Sequence, residues 1–289
     1  VVVVLMLAAG LVLVVAAGVL VAGRPPAARP GTRLGDLRER AVRVRRAATA
    51  EFGVVGGFAL ALAFGFAVTV AIGWPLGRLA AASLPFDKSA FRWFGDHQVG
   101  WLTHAMNVLT WLGNRPVTER LDLLGGILFA LLWKQRRWVP LLVMLTAFGL
   151  ERQVRFLLGR TVNRFHYPQI GTYPSGGCAR LVVTYGALAL LYFVWRGAKA
   201  SRAERVAVGT GVALLAWIEG FSRFYLDKHW FTDVIGGWIV GLLVLATVGG
   251  TLRALLDRRP AKHAAGQPAL DVTQRTPDAV DAVGPVVAP

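Results

Sequence analysis

The feature that most limits the folds open to this chain is a series of long apolar runs set between short arginine-rich stretches. Val1 to Ala22 is apolar without a break, and further runs cover residues 52–84, 121–133, 138–158, 184–195, 206–221 and 234–256. A backbone inside a bilayer must satisfy its own hydrogen bonds, so it spans either as a helix or in a closed barrel. Runs of roughly 20 residues suit helices, whereas barrel strands need only about ten. With 55% hydrophobic residues and a mean hydropathy of +0.52 over 289 residues, the chain reads as an all-α polytopic membrane protein. The expected layout is one N-terminal transmembrane helix followed by a core of six helices.

The net charge of +16 raises nucleic acid as a partner. The basic residues, however, lie between the apolar runs: Arg24 to Arg46 in one stretch, Lys134, Arg136 and Arg137 in another, then Arg196 to Arg205, then Arg253 to Lys262. Positive loops held on the cytoplasmic side explain that arrangement, and a DNA-binding face does not. For the arginines before Ala50, topological retention is a simpler account than a dedicated patch for anionic headgroups. The sole cysteine, Cys178, excludes an internal disulfide. The opening run lacks a basic n-region and a small-residue cleavage site, so it reads as a spanning helix and not a signal peptide. Three segments follow: 1–50, a transmembrane helix with a basic cytoplasmic linker; 51–256, the helical core; and 257–289, a disordered cytoplasmic tail.

Between the second and third runs, Phe86, Phe91, Trp93, Phe94 and Trp101 form an aromatic amphipathic segment suited to the outer interface. His97 and His104 lie in it without carboxylate or cysteine partners at a metal-ligand spacing, so interfacial packing is the expectation there.

Chemistry concentrates in Ser222-Arg223-Phe224-Tyr225-Leu226-Asp227-Lys228-His229-Trp230-Phe231-Thr232-Asp233, at the mouth of the last apolar run. His229 and Asp233, four apart, fall on one helical face one turn from each other. A carboxylate on one ring nitrogen sets the tautomer and leaves the other nitrogen a lone pair. Arg223 brings a planar fork for a phosphate-like anion. Ser-Arg, five residues, His, three residues, Asp resembles the third signature of the type-2 phosphatidic acid phosphatase superfamily. Leu109-Thr110-Trp111-Leu112-Gly113 is similar to a stretch that family often carries before its next helix.

That resemblance, over roughly residues 83–250, implies a metal-independent membrane phosphatase or phosphotransferase, with no cofactor, working through a phosphohistidine. His229 would attack phosphorus, Asp233 would orient it and Arg223 would hold the non-bridging oxygens. The first signature is divergent: Arg155 takes the lysine position, Val162 and Asn163 stand where the family has Arg-Pro, and Arg160 or Arg164 supplies the second guanidinium. In the second, Pro174-Ser175-Gly176-Gly177, the anion-binding turn of Ser175 and Gly176 is kept. Gly177 replaces the histidine that resembles a general acid. Either His166 gives that proton, or the leaving group is acidic enough to need none, or the chain binds a lipid phosphate without turning it over. Glu151 and Glu219 stand one turn before Arg155 and Arg223, and each is expected to brace its arginine. Gly237 and Gly241 read as a packing pair.

The expected substrate is a lipid phosphate or diphosphate in the outer leaflet of the cell membrane, and membrane lipids are the other partners. The three stretches at 155–164, 174–177 and 222–233 all fall at one expected outer end. A transporter is disfavoured because the polar residues gather at one face and not at the midplane.

Overall fold

The structure, a computed structural model, describes residues 33–133, 136–166 and 169–256, together with the isolated position 8. That position apart, the leading helix expected over residues 1–22 lies outside the described residues, as does the tail over 257–289. The described helices are α1 Arg33–Ala82, α2 Leu84–Asp96, α3 Gly100–Leu109, α4 Arg115–Leu132, α5 Trp138–Val162, α6 Gly176–Arg196, α7 Arg202–Tyr225 and α8 Phe231–Leu256. Between α5 and α6, strands β1 Phe165–His166 and β2 Gln169–Ile170 pair antiparallel. A short 3₁₀ turn, Gly197–Lys199, follows α6.

Local chemistry explains most boundaries. Pro116 stands in the first turn of α4, where its missing N–H costs nothing. Ser201 and Glu204 form a reciprocal capping box at the start of α7. Asn163, with φ of 49°, ends α5 in the left-handed conformation. One boundary differs from expectation. Residues 33–50, read as linker from their arginines, are helical, and a kink at Gly53 separates them from the next run. From Leu37 to Ala48 the stretch is built from Ala, Arg, Glu, Leu and Val, and most of these are good helix formers even when highly charged. The only non-helical residue inside α1 is Gly53, with φ of 67°.

Three described helical stretches are long and apolar enough to cross a membrane on their own: Val55–Ala82, Gly176–Lys199 and Phe231–Arg253. The other long helices, α4, α5 and α7, are of similar length but carry more charged residues, at one end in α4 and α5 and at both ends in α7. Helix α6 is the centre of the bundle, packed by α4, α5, α7 and α8, while α1 lies against α5 and α8. Burial follows that order: 67% of the α6 span is buried inside the bundle against 11% of the α1 span. Gly237 lets α8 approach α6 closely, because a Cβ there would lie 2.6 Å from the Ser175 carbonyl oxygen and 2.9 Å from Cys178 Cβ. Since the helices alternate in direction, α4, α6 and α8 begin at the end of the bundle where α5 and α7 finish. The polar residues singled out above meet at that end.

Candidate active site

The N-terminus of α6 organises the site. Ser175 precedes its first residue and is fully buried, and the Ser175 N–H donates to the Asp233 carbonyl at 2.9 Å. The first intrahelical acceptance at this end is Ala179 N–H to Ser175 O, so the N–H groups of residues 176–178 are the open donors of the first turn. They favour an anion, as does the helix dipole. Ser175 Oγ is buried without a hydrogen-bond partner.

Arginines converge on this turn from three helices. A Cβ at Gly176 would lie 2.7 Å from Arg155 Cδ and 2.9 Å from Arg180 Nη1. A Cβ at Gly177 would lie 2.6 Å from both Arg223 Nε and Glu219 Oε1. Arg223 is held by Glu219 Oε1 at 2.6 Å, Asn114 Oδ1 at 2.6 Å and the Thr110 carbonyl at 3.1 Å. Glu219, with no exposed surface, also accepts the Gly113 N–H at 3.2 Å. Arg180 donates to the Gly113 carbonyl, with Nη2 at 3.2 Å. Arg155 stands 3.5 Å from Glu151.

The imidazole lies in the turn between α7 and α8. His229 Nδ1 faces Asp233 Oδ2 at 3.8 Å, beyond hydrogen-bond length, and neither atom has another hydrogen-bond partner. A small ring rotation would close the bond and leave Nε2 as the free nitrogen. Burial holds the His229 imidazole below the ordinary histidine range; Asp233 opposes this, and Arg223 and His166 add to it. The ring is therefore neutral near pH 7, the form a nucleophile needs.

Residues 166–250 match the family model described as PAP2 superfamily. Over 157 residues, 52% of this chain and 75% of the relative, the sequence is 27% identical to phosphatidylglycerophosphatase B of Bacillus subtilis (strain 168). The fold is similar to the crystal structure of a transmembrane PAP2 type phosphatidylglycerolphosphate phosphatase from Bacillus subtilis, at a TM-score of 0.57 and 23% identity. That match covers 66% of this chain and 97% of the other. The helical core shares its fold with that PAP2 type structure.

Within this core, the structure gathers Arg155, Ser175, Gly176, Arg223, His229 and Asp233 around one helix start. The two candidates for the second guanidinium part company. Arg160 is exposed, its guanidinium 4.3 Å above the Phe156 ring. Arg164 is buried: Nη1 donates to Asp233 Oδ1 and Thr232 Oγ1, each at 2.6 Å, and Nη2 donates to Asp87. Phosphate binding by Arg164 therefore does not fit its contacts, because both terminal nitrogens are committed to carboxylates. His166, on β1, is buried with Nε2 at 2.7 Å from Asp227 Oδ1 and its ring against Trp230 at 4.2 Å.

Sequence reasoning passed over Arg180, Asn114 and Asp87. Arg180 had a local signal: it follows Gly176 by one helical turn and so shares its face. Asn114 and Asp87 had none, since their partners lie 77 or more residues away.

Proposed function

We propose that this chain is a membrane phosphatase that removes phosphate from a lipid phosphate or diphosphate at the outer leaflet. The observation that carries the reading is the meeting of three guanidinium groups, open helix N–H donors and one neutral imidazole at the start of α6. The phosphate lies against the residue 176–178 amides, with Arg155, Arg180 and Arg223 around its non-bridging oxygens. His229 Nε2 attacks phosphorus; the N–P bond forms as the P–O bond to the lipid breaks, and Asp233 bears the positive imidazole. Water then displaces the histidine and releases inorganic phosphate. No metal is invoked in this scheme.

The proton for the leaving oxygen comes from His166, held by Asp227 beside Trp230. Gly177 offers none, and the space a side chain would need there is filled by the Glu219–Arg223 pair. That filling also favours a second reading, a relative that binds lipid phosphate without turnover. Phosphate release from a panel of lipid phosphates and diphosphates in micelles decides between them. Turnover by the parent protein that His229→Ala abolishes is the expected result. Saturable binding with no release from any substrate would establish the second reading instead.

A further inference from the structure

Among the buried acids that the chemistry above leaves without a task, one stands beside the site. Asp87, on the short helix α2, has no exposed surface. Its Oδ1 accepts the Thr232 N–H at 3.1 Å, and its Oδ2 accepts the Thr232 hydroxyl at 2.6 Å and Arg164 Nη2. Thr232 is the second residue of α8, preceded by Trp230 and Phe231, which have no capping side chain. Asp87 thus supplies from another helix the acceptor that α8 lacks, at the helix end that favours negative charge. It also divides Arg164, whose other terminal nitrogen holds Asp233.

We propose that Asp87 is a positioning residue for the His229–Asp233 pair, acting through Arg164 and Thr232 to fix Asp233 in place and to keep its negative charge available to the imidazole. If Arg164 met Asp233 alone, the two charges would cancel and His229 would face a neutral pair. One guanidinium between two carboxylates leaves one negative charge, and the free Asp233 Oδ2 directs it at His229 Nδ1. That charge favours the positive imidazole formed as the ring attacks phosphorus. The remaining charged groups around His229 are Arg223 on α7 and His166 on β1, with Asp233 on its own helix side. Asp227 is committed to His166. Asp233 apart, none of these contacts Arg164, so none can take the place of Asp87.

The inference rests on the proposed role of His229 for its catalytic consequence, but its first readout needs no turnover. The full chain, labelled at histidine and held in detergent micelles, is titrated by NMR, with the His229 signal assigned through His229→Gln. Asp87→Asn removes a negative charge and lowers the His229 pKa by about half a unit or more. Arg164→Gln leaves two carboxylates unopposed and raises it. With phosphatidic acid in mixed micelles as substrate, Asp87→Asn lowers kcat about tenfold, well short of the ~10⁴-fold typical of removing the orienting carboxylate itself. KM changes little, and the acid limb of kcat/KM moves to lower pH with the NMR value. An unchanged His229 pKa in folded Asp87→Asn overturns the proposal. So does failure of both variants to fold, which would assign Asp87 to structure alone. The expected NMR shifts in a parent protein that releases no phosphate from any substrate would support the electrostatic link and refute the proposed hydrolysis.

Discussion

Two glutamate–arginine pairs with the same spacing flank the start of α6, and they are built to different standards. Glu219 and Arg223 are 2.6 Å apart, with side chains 0% and 10% exposed, and Asn114 and the Thr110 carbonyl both accept from Arg223 Nη2. Glu151 and Arg155 are 3.5 Å apart, and the Arg155 side chain is 36% exposed. Spacing of four residues brings such pairs onto one helical face in both cases. Only the first has a second layer of acceptors, drawn from the turn before α4. Arg223 is therefore held in place before any ligand arrives, whereas Arg155 keeps freedom to move onto one.

The largest effect that would test this contrast comes from Arg223→Ala. It leaves Glu219 buried without its cation, and a loss of about 3–5 kcal/mol of stability is expected in a denaturant titration. Arg155→Ala, half-exposed and loosely paired, should leave stability within about 1 kcal/mol and weaken phosphate binding instead. Equal losses of stability from the two would erase the distinction.

Gly177→Ala sharpens it. The added Cβ would meet Arg223 Nε and Glu219 Oε1 at 2.6 Å, so the tight pair must open, with an expected loss of about 1–3 kcal/mol. Circular dichroism melting that matches the parent protein would show that the pair yields without strain. A smaller effect is expected in the pH profile. Because burial lowers the His229 pKa, the imidazole stays neutral below its ordinary value of about 6.5, and the acid limb of kcat/KM should fall below that pH. A limb above it would mean that Asp233 outweighs burial. Smallest is Glu151→Gln, which should change phosphate affinity less than Glu219→Gln does in the same isothermal titration.

The pairing of each glutamate with its arginine was legible beforehand because it is local: one turn of one helix suffices. The same holds for the turn at Ser175, whereas His229, expected on one helical face with Asp233, stands in the turn before α8 and faces Asp233 from there. The choice between Arg160 and Arg164 was not legible. Both lie near the end of α5, and their fates depend on Asp87 and Asp233, which lie far off in sequence. The helical residues 33–50 were misread for a different reason, since charge density was given more weight than helix propensity.

The amino-acid sequence by itself determined an all-α membrane architecture and the four-residue spacing that brings an imidazole towards a carboxylate. Hydropathy and period act within one segment and need no partner. Tertiary structure alone decided which guanidinium groups face the α6 amides and which are consumed by buried acids. That outcome depends on charges from separate helices finding one another where water is excluded, so an arginine is placed by its nearest carboxylate and not by its neighbours in the chain.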